Sequence, residues 1–421
     1  MIHFRKIEHK GHIPLYFQRL PDLINSASLR VTVFVGSADD LEVGGRPGLF
    51  HWFEHVPFCG TKKYPGGYEG VDGPFTRYGA FLNAETTETT TSFHITVPKR
   101  LWKKGLDVLS ELVAFPLLRP RDVECERAVI LRELLGVHAE ASEYADNFLN
   151  STLFGNHPLA HPILGSEKDL LAMSVKDLRT AHAKGYDRSR MVIYAAGNLD
   201  RNELADEVVR AFRKVPDRRL ASRKTGHKYG PLPKWTGGEN IIRKIPFKSS
   251  KVFLLFPYPE WGKDPDFFLR HFMAERMFAA GDLASPLSLL LREKKQLAYD
   301  ADSIYLPYPD GGYWGFEAEC KPADSKKVLR AMWELARDRK VRTSERLRIV
   351  KDSVISSLDM RVPDPSALTE EADDRLSRVG TLVNDEDIIP HIQRWPKDAV
   401  MDVLATMKPE NARAVIFQGK G

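Results

Sequence analysis

Apolar and polar residues alternate in several short stretches of this chain, and those stretches mark its strands. Leu29-Arg30-Val31-Thr32-Val33-Phe34-Val35, Thr91 to Val97 and Met191 to Ala196 read as strands with one face on a core. Lys251 to Phe256 and Tyr313 to Cys320 read the same way further along. Between them the period lengthens to that of a helix. Apolar positions recur at helical spacing over Leu101 to Phe115 and over Val123 to His138. Ser174 stands as a capping residue ahead of a helix running to Ala183. Strands and helices interleaved in this way predict an α+β fold.

From Lys214 to Asn240 the periodicity lapses, and Lys, Arg, Gly and Pro take over, as in a linker. The chain on either side is similar. Phe93 to Val97 leads through Pro98 into the helix from Leu101, and Tyr313 to Cys320 leads through Pro322 into a helix from Ser325. Each half closes with a helix and a strand, Lys176-Asp177-Leu178 through Val192-Ile193-Tyr194 and Lys397-Asp398-Ala399 through Val415-Ile416-Phe417. The copies are offset by roughly 220 residues. Two similar domains are predicted, residues 1–213 and 241–421, joined by a linker over 214–240. Each should be a mixed sheet packed with helices.

With 421 residues, 43% hydrophobic and 28% charged, the chain is long enough for two proper cores. Its net charge of +5 is spread along the sequence, without the basic stripe and interleaved aromatics of a nucleic-acid binder. The densest basic run, Arg218 to Lys228, falls in the linker and reads as a solvated loop. No stretch approaches the ~20 apolar residues of a membrane span, and the N-terminus has no signal-peptide core. Cys59, Cys125 and Cys320 are too scattered for a disulfide framework, which points to reduced thiols and a cytoplasmic location.

His51-Trp52-Phe53-Glu54-His55 adds chemistry to this picture. On a helix, histidines four apart share a face with the glutamate before the second, so two imidazoles and a carboxylate converge. That order, H-x-x-E-H, marks the inverzincin arrangement of zinc hydrolases. Zinc needs a third protein donor and an open position for water. The stretch Glu124 to Glu133 offers candidates, with Glu126 and Glu133 two helical turns apart on one face. Cys59, one turn past His55, stands where a fourth donor could reach, but four protein donors would close the site to water. In the second half His271 falls near the equivalent place with no histidine four residues on, so only the first half carries the metal motif.

Gly48-Leu49-Phe50-His51-Trp52-Phe53-Glu54-His55 through Phe58-Cys59-Gly60-Thr61 resembles the pitrilysin and mitochondrial-processing-peptidase group of zinc peptidases. Tyr78 to Thr87, with its Leu82-Asn83-Ala84-Glu85-Thr86 core, resembles that group's Asn-Ala and threonine signature. Glu126-Arg127-Ala128-Val129-Ile130-Leu131-Arg132-Glu133 looks like its third-ligand helix, and Leu291 to Tyr299 like its paired Arg and Tyr. The segments occur in the group's order, over nearly the whole chain.

The resemblance implies a role for each matching residue. His51, His55 and Glu133 match the ligands of one Zn2+ per chain, and Glu54 matches the general base. Glu126 matches the carboxylate that orients a ligand histidine. Asn83 and Ala84 match an edge strand that pairs with the substrate backbone, Arg292 a residue that holds substrate, and Tyr299 a donor to the oxyanion. It further implies a zinc-dependent endopeptidase acting on peptides or unfolded segments in a chamber of four similar domains. This chain holds two of the four, so a second chain should complete it, as a homodimer or as a heterodimer with a related chain. The rival reading is a non-catalytic partner subunit of such a heterodimer; a silent subunit has no need of the intact ligand set. Two departures stand out. Pro57 should end or kink the motif helix, and Tyr64 to Arg77 is rich in Gly and Pro where the group has a helix.

Overall fold

The computed structural model describes residues 1–10, 13–218, 229–235, 240–260, 265–279 and 284–420. Residues 219–228 of the basic run and 236–239 of the linker lie outside the described residues. The fold is mixed α and β, with two sheets packed against helices. Among the described residues no helix is long and apolar enough to cross a membrane.

The first sheet contains β1 (Arg5–Ile7), β2 (Leu15–Arg19), β3 (Ser26–Val33), β4 (Phe81–Thr86), β5 (Thr91–Pro98) and β6 (Met191–Gly197). Their order is β1-β2-β6-β3-β5-β4. Only β2 and β6 run parallel; the other pairs are antiparallel. The central strands β3 and β6 are buried almost throughout, whereas β4 alternates, with Phe81, Asn83 and Glu85 exposed and Leu82 and Ala84 buried. That alternation is what an edge strand shows when one face is covered. The helix Trp102–Ala114 covers this face, and at Gly105 it lies so close that a Cβ would stand 3.1 Å from Ile95.

The second sheet contains β7 (Asn240–Lys244), β8 (Ser250–Tyr258), β9 (Ala298–Tyr308), β10 (Gly311–Cys320) and β11 (Arg413–Gln418). Its order, β7-β11-β8-β10-β9, repeats β2-β6-β3-β5-β4, including the one parallel pair. The repeat seen along the sequence is therefore a repeat of topology.

The compact units are discontinuous in sequence. One comprises Met1–Leu135, Asn150–Tyr229 and Val362–Asn384; the other Gly136–Leu149, Gly230–Arg361 and Asp385–Gly421. In the first, the helix Pro365–Val379 lies on β3 and β6, with Leu368, Ala372 and Leu376 packed against Phe4, Val192 and Tyr194. Polar contacts set its register. Ser28 Oγ lies 3.0 Å from Thr369 Oγ1, Thr32 Oγ1 donates to Asp373 over 2.8 Å, and the buried Arg30 pairs with Asp373 and Glu85. In the second, the segment through Ser142 and Tyr144 plays this part. The buried Lys251 donates to Ser142 Oγ at 2.9 Å and to Glu317 at 3.0 Å, and Tyr144 packs on Phe247 and Phe417. Buried cations of this kind persist only when paired.

The second unit also shows what replaces the metal motif. On the helix Pro265–Arg276, His271 is buried against the rings of Tyr258 and Trp314, and the residue four further on is Glu275. Glu275 accepts a hydrogen bond from Ser303 of β9, and burial pushes its carboxyl from 4.5 up to about 7. A raised folded-state pKa favours the fold below pH 4.5, and that contribution is lost as pH rises through 7. Glu275→Gln keeps an acceptor for Ser303 but cannot ionise. It should match the parent in thermal unfolding at pH 4.5 and exceed it at pH 8, by up to about 3 kcal/mol. An equal difference at both pH values would show that Glu275 does not titrate with folding.

Candidate metal centre

The motif helix runs Leu49–His55 and is held at both ends. At its start Gly48 takes a left-handed φ of 93°, and the carboxylate of Asp40 accepts from the backbone N–H of Gly48 at 2.8 Å and of Phe50 at 2.9 Å. Asp40 thereby satisfies donors that a helix start leaves unpaired, while burial pushes its carboxyl well above the usual carboxylate range. At the other end the chain tightens into the 3-10 turn Val56–Cys59, as expected from Pro57, whose ring clashes with a continued helix. The stretch after it holds two short helical turns, Gly67–Val71 and Gly73–Thr76, in place of one long helix.

Trp52 and Phe53 are fully buried and anchor the helix. Phe53 packs on Tyr186, 4.4 Å between centroids, and stacks on His182. The Arg127 guanidinium lies 4.5 Å over the Trp52 ring and donates to the carbonyls of Leu170 and Met173. Arg127 belongs to the helix Pro120–Val137, so this contact ties the Glu133-bearing helix to the motif helix. The remaining side chains, His51, Glu54 and His55, face the other way.

Glu133 meets both histidines. His51 Nε2 lies 3.7 Å from one carboxylate oxygen of Glu133, and His55 Nε2 lies 3.6 Å from the other. The three donors fall within 4.8 Å of one another. Donors about 2.0–2.1 Å from a tetrahedral zinc stand ~3.4 Å apart, so the residues fit the ion. The protonation state of His51 fits as well. Burial, helped by the neighbouring His55, pushes His51 down to about 3, which keeps its imidazole neutral and able to bind a cation. Burial opposes protonation of His55, but the Glu126, Glu54 and Glu133 carboxylates around it outweigh burial and raise its pKa.

Glu126 is almost fully buried and lies 3.4 Å from His55 Nδ1. Burial works against its charged form, yet hydrogen bonds from His55 and Cys59 hold it below the usual carboxylate range. Glu54 is hydrogen-bonded from the sheet. Its Oε2 accepts from Thr86 Oγ1 at 2.7 Å, and burial pushes its pKa up to about 7. Thr86 lies on β4 two residues after Ala84, hence on the same covered face, while Asn83 points to the exposed face.

The remaining candidates lie in the second unit. Arg292 is half-buried in a π-helical turn, Leu289–Lys294, and Tyr299 is the second residue of β9, with 59% of its surface exposed. Tyr299 is thus free of the core. Cys59 is not a fourth donor: its thiol faces Glu126 at 3.2 Å. Thr86 lay in the stretch that resembles the family's threonine signature, though no role was read for it, and two residues of this centre escaped the sequence reading altogether. Asp40 and Tyr68, which donates to Glu126 over 3.3 Å, had no local signal, because their partners lie at loop-dependent distances.

A two-sheet α+β fold with two histidines and a glutamate converging beside a further carboxylate is that of a metallopeptidase class. Residues 22–167 match the family model described as Insulinase (Peptidase family M16), and residues 172–351 match Peptidase M16 inactive domain. The two models follow one another along most of the chain, which belongs to peptidase family M16, a zinc metallopeptidase family. Mitochondrial-processing peptidase subunit beta of Saccharomyces cerevisiae is 24% identical over 390 residues, 90% of this chain and 83% of that one. An uncharacterised zinc protease of Streptomyces coelicolor is 25% identical over 77% of this chain and 70% of its own length. In structure, a peptidase M16 inactive domain from Pseudomonas fluorescens superposes with a TM-score of 0.85 at 17% identity, over 100% of this chain and 98% of the other. A protease from Helicobacter pylori superposes with a TM-score of 0.80 at 18% identity, over 99% of each chain. These two likenesses establish the fold.

Proposed function

We propose that this chain is a zinc-dependent endopeptidase that hydrolyses peptides or unfolded segments. The observation that carries the reading is the convergence of His51, His55 and Glu133 beside a fourth group, Glu54, that is held apart from them by Thr86. A purely structural site has no use for that spare carboxylate and is more often closed by four donors. Zinc, when bound, supplies a Lewis acid that polarises the scissile carbonyl and lowers the pKa of water.

This chain's residues do the rest. Glu54 takes a proton from the attacking water and passes it to the leaving amine, with Thr86 fixing one of its oxygens. Glu126 holds His55 through Nδ1, which leaves Nε2 for the ion. β4 is an edge strand, so its outer backbone groups accept a substrate strand at Asn83 and Ala84. Main-chain pairing of that kind tolerates many side chains. Tyr299, exposed, donates to the developing oxyanion, and Arg292 holds the substrate. Two units per chain, against the four similar domains that the sequence resemblance implies, support a chamber completed by a second chain, a copy of this one or a relative.

The test is metal analysis beside cleavage of a mixed peptide library. About one zinc per chain and cleavage abolished by a chelator are expected. Zinc bound without any cleavage would favour the non-catalytic partner subunit, and no zinc would end the reading.

A further inference from the structure

The carboxylate of Glu126, behind His55, has more partners than the histidine it touches. It is 3% exposed, so water does not solvate it, and its lone pairs are met by three side chains from different segments. His55 Nδ1 lies 3.4 Å from Oε2, Tyr68 Oη donates to the same oxygen over 3.3 Å, and Cys59 Sγ donates to Oε1 over 3.2 Å. Cys59 comes from the 3-10 turn that Pro57 forces after the motif helix. Tyr68 comes from the short helix Gly67–Val71, and its ring stacks on Phe58 with centroids 6.1 Å apart and planes at 15°. The two departures of this chain, the proline turn and the Gly- and Pro-rich stretch, therefore both deliver a donor to the same carboxylate.

A carboxylate held by one histidine alone can swing about its last torsion, which is broad. Donors on both oxygens remove that freedom. With Oε1 fixed by the thiol and Oε2 by the phenol, Oε2 is kept in front of His55 Nδ1. The imidazole then carries its proton on Nδ1 and presents the Nε2 lone pair toward Glu133.

We propose that Tyr68 and Cys59 are positioning residues of the metal centre, which hold Glu126 on His55 and so set the affinity for the ion. This inference rests on the zinc reading above. It gives a purpose to the cysteine in the motif segment: a hydrogen-bond donor rather than a ligand or a nucleophile.

The experiment uses the full chain with Tyr68→Phe, Cys59→Ala, Cys59→Ser and the double variant Tyr68→Phe/Cys59→Ala. Zinc dissociation constants are measured by competition with a chromogenic chelator, and the visible spectrum of the cobalt-substituted protein reports ligand geometry. The double variant should bind zinc about 10-fold more weakly, near the lower end for lost outer partners of a metal site, with a shifted cobalt spectrum. Tyr68→Phe keeps the stacked ring on a half-exposed side chain, so it remains readable even if the double variant does not fold; about 3-fold weaker binding is expected of it. Cys59→Ser restores a donor and should bind like the parent, whereas Cys59→Ala should not. Parental affinity in both Tyr68→Phe and Cys59→Ala would overturn the inference and leave the zinc reading standing. Equal losses in Cys59→Ser and Cys59→Ala would overturn the hydrogen bond as the cause. A parent that binds no zinc would overturn both.

Discussion

Glu54→Gln is expected to abolish peptide cleavage while about one zinc stays bound per chain. Glutamine has the shape of glutamate and an oxygen that still accepts from Thr86, so the side chain stays where the carboxylate was. What it loses is the ability to take a proton. General-base catalysis contributes about 10²–10⁴-fold to a rate, and a variant with no substitute base should fall by at least that much. His51, His55 and Glu133 are untouched, and their separations do not depend on Glu54. The measurement is cleavage of a quenched peptide beside metal analysis of the same preparation. Full activity with zinc retained would sink the proposed role of Glu54, and loss of zinc would make it a holder of the metal instead.

Glu133→Ala is expected to have the opposite profile, losing the metal first and activity as a consequence. Glu133 is the one donor of the cluster that comes from the helix Pro120–Val137, and it faces both Nε2 atoms at once. Without it two imidazoles remain on one short helix, which is two of the donors that a zinc site of three protein ligands needs. Removing one of three ligands should weaken binding by on the order of 10²–10³-fold. The fold should survive, since the Glu133 side chain is 43% exposed and the Arg127 contacts with Trp52, Leu170 and Met173 still dock its helix. Dialysis against a weak chelator followed by metal analysis reads the loss. If Glu133→Ala held zinc as tightly as the parent, the third ligand would have to be sought elsewhere. Together the two variants separate chemistry from metal binding, which neither does alone.

Much of this arrangement was legible in the residues. The alternation over Leu29 to Val35 and Thr91 to Val97 became β3 and β5, with Ser28, Arg30 and Thr32 on one face and Leu29 and Val31 on the other. Ser174 does precede its helix, and its backbone N–H and hydroxyl both donate to the Asp177 carboxylate. Pro57 ends the motif helix where its missing N–H and its ring require. The i, i+4 spacing of the histidines and the two-turn spacing of Glu126 and Glu133 describe single helices, and helices keep their periodicity in any context. Less was legible where a residue acts through a partner remote in sequence. Arg30 reads as the polar face of a strand, but it is buried because Asp373, 343 residues away, lies against it.

The sequence by itself determined the local elements and the repeated topology, which follow from periodicity and steric rules acting over a few residues at a time. It also placed two histidines on one helix face and offered Glu126 and Glu133 as partners, and the family resemblance singled out Glu133. Only the tertiary structure decided which sheet each helix serves. Val362–Asn384 packs with the first sheet and Gly136–Leu149 with the second, because an amphipathic helix is specified by its apolar stripe and not by the surface that will cover it. Only the tertiary structure, too, brought Asp40, Thr86 and Tyr68 to the metal helix. Their hydrogen bonds depend on distances of about 3 Å between segments whose separation is set by packing and loop length, and no pattern along the chain encodes such a distance.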